Sequence, residues 1–273
     1  MKLIFMCGSH PRHLYIAKTL YEAGLLHALV IEQREEFIPQ PPSNLETIDR
    51  ENFIRHFQDR DQSEQKFFKD ISLTDFQDVY ILEVSRDELN SENTKKWIVE
   101  RKVEMVVSYG VHKISNHMLD DFPKNAWNIH GGLSPWYRGN ITLFWPFYFL
   151  QPNWAGMTIH QLTSKLDGGD IIHHSVPDLE RGDGIHDVAC KAVLQVARDL
   201  VTILKLLDQG KEMKGTPQGS NGKLFVSRDW KPQHLRPIYN YYNNDLIDRF
   251  LDGEFEIEEP PLVKAFKSYE YFN

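Results

Sequence analysis

The sequence predicts an α/β fold, a Rossmann-like and mostly parallel sheet that carries a small C-terminal appendage. Short apolar segments alternate with helical segments through the first half of the chain. At 273 residues, the chain is long for one domain and short for two large ones. Its hydrophobic share of 41% and charged share of 26% are those of a globular protein. Because strands that alternate with helices usually pair in parallel, we expect an open sheet covered by helices.

The first half of the chain contains four candidate strands. Leu3 to Cys7 is followed by Gly8 and by a helix with one apolar face from about Pro11 to Gly24. The other three candidates are His27 to Ile31, Val79 to Val84 and Val103 to Ser108. Between them lie a proline-rich loop, Phe37 to Asn44, and a highly charged segment, Asp49 to Asp70. The charged segment predicts one or two surface helices with a solvated face.

The second half predicts short strands separated by loops that contain glycine or proline. These strands are Trp127 to His130, Met157 to Thr163 and Ile171 to Val176. Gly184 to Gly210 has a regular apolar stripe and predicts a core helix. A turn-rich linker, Gly215 to Gly222, then precedes a strand at Lys223 to Ser227. A boundary near residue 210 therefore separates a catalytic domain, residues 1–210, from a small region, residues 211–273.

Composition also limits the classes of partner and the compartment. The net charge of −8 disfavours nucleic-acid binding, which needs clustered Lys and Arg. The longest apolar run, Ile141 to Leu150, is interrupted by Pro146 and is too short for a span of roughly twenty residues. Two cysteines, Cys7 and Cys190, cannot form a disulfide framework, and no signal peptide is evident. We expect a cytoplasmic protein that binds neither membranes nor nucleic acid.

Asn128-Ile129-His130 is the first candidate catalytic motif. Its alternation places Asn128 and His130 on the same face of a strand. An amide that can stabilise an oxyanion, beside an imidazole that can hold a proton, suits attack of an amine on an acyl carbon. Asp167 is placed to orient His130, whereas Asp170 is interpreted as a turn residue that bonds its own backbone. No metal site is predicted, because His160 and the pair His173-His174 lack a metal-ligand spacing.

The loop that follows, Gly131 to Gly139, has glycines that permit close approach to a ligand. It offers Trp136, Tyr137 and Arg138 as substrate contacts. The alternative interpretation is an ordinary glycine turn with surface aromatic residues.

With Gly-x-Thr-x-His160 and Leu166-Asp167-x-Gly169, these motifs resemble the folate-dependent formyltransferase superfamily. The resemblance is strong over residues 128–172 and weaker over 1–210. It implies catalytic roles for Asn128, His130 and Asp167, and N10-formyltetrahydrofolate as the formyl donor. The implied folate-cleft residues are Ser108, Tyr109, Gly110, His112 and Asp167. The implied mechanism has an amine attacking the formyl carbon while Asn128 and a protonated His130 stabilise the oxyanion, with the acceptor of the amine proton left open.

The version Gly-Gly-Leu-Ser-Pro-Trp-Tyr-Arg-Gly resembles the sugar N-formyltransferase subgroup. This implies a nucleotide-linked amino sugar as acceptor, first dTDP-4-amino-4,6-dideoxyglucose for a surface polysaccharide (O-antigen), then GDP-perosamine. A homodimer is also implied, with residues 211–273 a candidate dimerisation region. The turn Ser9, His10 and Arg12 lies before a helix, where the dipole favours anions, so Arg12 is a candidate pyrophosphate ligand. A solvated turn is the alternative.

Rival functions remain open at this point. A dehydrogenase is disfavoured because Gly8 stands without a G-x-G-x-x-G fingerprint. Methionyl-tRNA formyltransferase is disfavoured because residues 211–273 hold nine Lys/Arg against ten Asp/Glu, a net charge of −1. A non-catalytic ligand sensor would keep the fold without turnover, and a formyl-folate hydrolase would use water in place of the amine.

Overall fold

The computed structural model describes residues 1–34, 38–69, 71–219 and 222–266. Its strands are β1 (Leu3–Gly8), β2 (Leu26–Glu32), β3 (Tyr80–Val84), β4 (Met105–Tyr109), β5 (Asn125–His130), β6 (Tyr137–Gly139), β7 (Met157–Gln161), β8 (Ile171–Ser175) and β9 (Lys223–Phe225). Its helices are α1 (Pro11–Glu22), α2 (Thr47–Phe68), α3 (Glu92–Glu100), α4 (Asn116–Leu119), α5 (Trp145–Tyr148), α6 (Ile185–Asp208) and α7 (Leu246–Leu251). Phe37, Asp70, Ser220 and Asn221 of the predicted segments lie outside the described residues, as do residues 267–273.

Seven strands form one sheet in the order β3-β2-β1-β4-β5-β7-β8. The first five pair in parallel, and β7 and β8 join antiparallel. The predicted Rossmann-like, mostly parallel sheet is confirmed. Because β7 pairs directly with β5, residues of these two strands that are far apart in sequence lie side by side in the sheet.

The two faces of the sheet are covered by different helices. Alternate residues such as Phe5 and Val107 pack with α1 and α6, whereas Met6 and Val106 pack with Ile98 of α3. Both faces of the parallel strands are therefore buried, which explains their continuous apolar sequence. The predicted core helix is confirmed as α6, a member of the first core.

The charged segment forms one helix, α2, and only part of its surface is solvated. Asp49 and Glu64 are buried, with Glu64 only 3% exposed. The expectation of a solvated charged face is wrong for these residues because α2 packs on α6, and because each buried carboxylate has a buried or half-buried arginine partner. Paired charges are tolerated inside a protein where isolated ones are not.

The C-terminal region shares a core with the preceding residues. Its apolar side chains pack with those of residues 133–155 and with the start of α6, and β9 pairs with β6. Among the aromatic residues of this region, Tyr239, Tyr242, Phe250 and Phe255 pack within the chain, whereas Tyr241 is 75% exposed. A role of residues 211–273 in dimerisation stays a prediction.

Candidate active site

Three polar side chains lie in a row across β4, β5 and β7. The sheet register pairs Ser108 with Asn128, and Asn128 with His160. The Ser108 Oγ donates to Asn128 Oδ1 at 2.8 Å, and Asn128 Nδ2 lies 3.2 Å from His160 Nε2. His160 Nδ1 donates to the Gln161 carbonyl at 2.8 Å, so His160 Nε2 acts as the acceptor. The Asn128 amide therefore has one fixed orientation, with its NH₂ group facing the site.

His130 lies at the end of β5 and is 6% exposed. Its Nε2 donates to the Tyr137 carbonyl at 2.8 Å, and its Nδ1 lies 3.5 Å from Asp167 Oδ1. Burial lowers the pKa of His130, although the Asp167 charge opposes this effect. The sequence interpretation used a protonated His130, whereas the structure favours a neutral ring with its lone pair on Nδ1.

The glycine at position 132, within the loop Gly131 to Gly139, is explained by steric contacts. A Cβ added at Gly132 would lie 2.5 Å from the Tyr137 carbonyl oxygen and 3.0 Å from His130 Nε2. A side chain at Gly132 would therefore push the carbonyl away from the imidazole.

Asp167 meets both histidine rings. Its Oδ1 lies 3.7 Å from His160 Nε2, and its Oδ2 accepts from the Gly139 N–H at 2.9 Å. Burial opposes its ionisation, yet the positive charge that the neighbouring His130 and His160 rings carry when protonated, together with the Gly139 N–H, lowers the pKa of Asp167 to about 2. Asp167 is thus a carboxylate at neutral pH and can stabilise a protonated His130.

The turn that carries Asp167 is held by Gln218, a residue from a later part of the chain. Asp167 has a left-handed backbone with φ of 46°, which is unfavourable for a residue with a Cβ. The Gln218 Nε2 donates to the carbonyls of Asp167 at 2.8 Å and Gly169 at 2.7 Å. Gln218 lies in the predicted linker Gly215 to Gly222, and no local signal in the sequence indicates this contact.

A cavity of about 110 Å³ opens beside these residues. Its lining includes Ser108, His112, Asn128, His160 and Asp167, together with apolar side chains from Val111, Ile114, Leu162 and Leu166.

Among the predicted folate-cleft residues, Ser108, His112 and Asp167 line the cavity, but Tyr109 and Gly110 do not. Tyr109 is 6% exposed and packs edge-on against His13. His112 is held by Glu32, a fully buried carboxylate at the end of β2 that accepts from the His112 main-chain N–H at 2.7 Å. Sequence reasoning missed Glu32, an acidic residue that directly follows the apolar run of the second strand.

The predicted substrate loop has mixed environments. Tyr137 is 6% exposed, its ring packs in the second core, and its hydroxyl donates to Gln151. Trp136 is half-buried against Trp154. Arg138 is 7% exposed, and no hydrogen bond or ion pair of its side chain is found among the residues that the structure describes.

The predicted anion turn lies apart from the cavity. Ser9 Oγ accepts from the Arg34 N–H at 3.0 Å, and His10 stacks on His13. Arg12 Nη2 lies 2.5 Å from Glu64 Oε1, so a pyrophosphate at Arg12 would compete with this buried carboxylate. Ser9, His10 and Arg12 are not part of the cavity lining, which includes Asn128 and Asp167 of the catalytic trio.

Within the described part of the chain, no group of three or more His, Cys, Asp or Glu side chains is arranged to hold a metal ion. His173 and His174 are buried. A search of the described helices finds none that is long and apolar enough to cross a membrane.

A sequence model of the family described as formyl transferase matches residues 55–198, more than half of the chain. The matched segment contains every residue of the cavity lining and the Asn128, His130 and Asp167 trio.

Solved structures with the same fold are similar at low identity. A phosphoribosylglycinamide formyltransferase from Anaplasma phagocytophilum is 18% identical, with 82% of this chain and 96% of that chain covered and a TM-score of 0.55. A 4-N formyltransferase from Francisella tularensis is 15% identical, with 84% of this chain and 78% of that chain covered and a TM-score of 0.54. A sugar 3N-formyl transferase solved in the presence of dTDP and 5-N-formyl-THF is 16% identical, with 85% of this chain and 72% of that chain covered and a TM-score of 0.52. At these identities the similarity shows the fold alone.

Proposed function

This chain belongs to the formyl transferase family, and we propose that it transfers a formyl group from N10-formyltetrahydrofolate to the amine of a nucleotide-linked amino sugar. The observation that carries the proposal is the convergence of Asn128, His130 and Asp167, with His160 between the amide and the carboxylate. An amide donor, a neutral imidazole and an ionised carboxylate are the groups that formyl transfer to an amine requires.

The geometry supports an assignment for the amine proton. His130 Nε2 already donates to the Tyr137 carbonyl, so Nδ1 is the nitrogen that can accept a proton. A proton at Nδ1 would produce an imidazolium beside the Asp167 carboxylate, 3.5 Å away. Asp167 therefore favours proton uptake by His130 as the amine attacks, while the Asn128 NH₂ donates to the charge that develops on the formyl oxygen. The bond between the formyl carbon and N10 of the donor then breaks, and the proton held by His130 passes to N10 of the departing tetrahydrofolate.

The cavity fits part of a folate. Its apolar side chains suit the faces of a flat heteroaromatic ring, and the main chain after β4 offers polar groups to the ring edge. Ser108, His112 and Asp167 would hold the donor there, and the donor supplies the formyl group on its N10 nitrogen.

One observation favours a sugar acceptor. The loop Gly131 to Gly139 resembles that of the sugar N-formyltransferases. A sugar 3N-formyl transferase and a phosphoribosylglycinamide formyltransferase both share the fold, so the fold is compatible with either acceptor. We propose dTDP-4-amino-4,6-dideoxyglucose first, for a surface polysaccharide, with GDP-perosamine as the second candidate. A tRNA acceptor is disfavoured by the net charge of −1 over residues 211–273.

A substrate screen tests the proposal. Purified protein and formyl-folate are mixed in turn with dTDP- and GDP-linked amino sugars, glycinamide ribonucleotide and methionyl-tRNA, and the products are read by mass. We expect an added formyl group on a nucleotide amino sugar only, and no folate turnover without acceptor. His130→Ala should lose about 10³-fold in turnover. Formylation of glycinamide ribonucleotide or tRNA alone would overturn the acceptor assignment, and near-normal turnover of His130→Ala would overturn the catalytic one.

A further inference from the structure

The Arg138 side chain is mostly buried and has no counter-charge in the described residues. It is 7% exposed, and its Nε is fully buried with no hydrogen-bond partner. An unpaired charge removed from water is costly for a folded protein, so buried arginines nearly always have partners. Such a group is retained where a ligand supplies the missing partner.

The backbone places Arg138 beside the reacting groups. The peptide group before it supplies the Tyr137 carbonyl that accepts from His130, and the peptide group after it supplies the Gly139 N–H that donates to Asp167. One edge of β6 thus contacts both catalytic side chains, while its other edge pairs with β9, where Arg138 lies opposite Leu224. The Cα of Arg138 is therefore fixed within one residue of each catalytic contact.

The charge of Arg138 also acts on His130. Burial is the largest cause of the lowered pKa of His130, and the positive charge of Arg138 contributes to it. The guanidinium is therefore close enough to the catalytic imidazole for the two charges to interact.

We infer that Arg138 binds a phosphate group of the acceptor, the diphosphate of a nucleotide-linked sugar. This rests on the proposed function and assigns the anion contact to Arg138 instead of Arg12, which already pairs with Glu64. The planar guanidinium matches phosphate oxygens with two parallel hydrogen bonds, and a permanently charged ligand compensates a permanent buried charge. A carboxylate of the folate tail could bind a guanidinium in the same way. The experiment below distinguishes the two ligands because it uses phosphate and folate probes separately.

Binding is measured by calorimetry with inorganic pyrophosphate, dTDP and 5-formyltetrahydrofolate as separate probes. The variants are Arg138→Met, which keeps the length and removes the charge, and Arg138→Lys, which keeps the charge and loses the planar fork. Arg198→Met, at an exposed arginine of α6, is the matched control. We expect Arg138→Met to weaken pyrophosphate and dTDP about 10- to 100-fold, Arg138→Lys to weaken them less, and the control to bind normally. Folate affinity should be unchanged in all three.

Thermal melting without ligand supplies a second readout. Removal of an unpaired buried charge should leave the Tm of Arg138→Met unchanged or raise it. The inference is overturned if pyrophosphate binding survives in Arg138→Met, if only folate binding is lost, or if all three probes weaken together with a lower Tm. If Arg138→Met does not fold, the inference is overturned by normal pyrophosphate binding in Arg138→Lys.

The two proposals fail differently. Loss of pyrophosphate binding in the Arg138 variants, with no nucleotide sugar formylated by the unmodified protein, would keep the phosphate contact and reject the proposed acceptor. Formylation of a nucleotide sugar with an unchanged acceptor KM in Arg138→Met would keep the function and reject the contact.

Discussion

Two loops at the same edge of the sheet differ in how their charges are satisfied. Where the turn after β1 enters α1, Arg12 pairs with the buried Glu64 of α2, and the ring of His13 packs against Gly8 and Gly110. In the loop Gly131 to Gly139, backbone groups contact His130 and Asp167 while Arg138 has no partner in the described residues. The arginine of the first segment thus has a counter-charge within the protein, and the arginine of the second is left for a ligand. Position at a helix N-terminus is therefore weaker evidence for an anion site than unbalanced buried charge.

The largest effect should come from the carboxylate that the second loop holds. Asp167→Asn keeps the size of the side chain but cannot stabilise a protonated His130, so kcat should fall about 10³-fold. Steady-state kinetics with the acceptor found in the screen measures this. Asp170→Asn, three residues later in the same turn, is the matched control and should keep normal activity. If Asp167→Asn had the same near-normal activity as Asp170→Asn, Asp167 would have no role in the mechanism.

The next effect separates the two arginines by stability. Arg12→Met removes the ion pair of the buried Glu64, so the free energy of unfolding should fall by about 3 kcal/mol. Arg138→Met should change it little or increase it. Urea unfolding measures both. The double variant Arg12→Met/Glu64→Gln should recover much of the loss, because no unpaired charge remains. A larger loss in Arg138→Met than in Arg12→Met would reverse the comparison.

A smaller effect concerns a neutral histidine that supports the second loop. His174 Nε2 donates to the Ser134 carbonyl, and its Nδ1 accepts from the Val263 N–H. Burial lowers the pKa of His174 to about 4. Below the ordinary pKa of about 6.5 the unfolded chain binds a proton that the folded chain excludes. The contribution of His174 to the free energy of unfolding should therefore fall as the pH falls from 6.5 to about 4, and level off below.

For one such group the slope is about 1.4 kcal/mol per pH unit. Urea unfolding at several pH values measures it. His174→Gln should reduce the slope of the free energy of unfolding against pH by the equivalent of about one proton in this range. His117→Gln, at a partly exposed histidine, is the control and should leave the slope unchanged. An unchanged slope in His174→Gln would contradict the prediction.

The smallest effect tests the external support of the Asp167 turn. Gln218→Met has a similar length but cannot donate to the Asp167 and Gly169 carbonyls. We expect kcat to fall about 10-fold with little change in KM, because a displaced Asp167 weakens the reaction more than binding. Gln209→Met, at the exposed end of α6, should have normal kinetics. A changed KM with unchanged kcat would instead indicate a substrate contact.

Much of the fold follows from local sequence patterns. The apolar runs of β1 and β4 and the apolar stripe of α6 are visible in the chain, because strand and helix periodicity depend on neighbouring residues alone. The same alternation placed Asn128 and His130 on one face of β5. Family motifs added Asp167 and the folate-dependent chemistry.

The rest depends on which distant segments meet. The pairing of Arg12 with Glu64, the contact of Glu32 with His112 and the support of Asp167 by Gln218 each join parts of the chain that are far apart in sequence. A sequence shows that a residue carries a charge, but the fold decides whether that charge finds a partner. Local patterns thus determined the sheet and the strand motif of the trio, and only the tertiary structure decided that Arg12 is paired and that Arg138 is not.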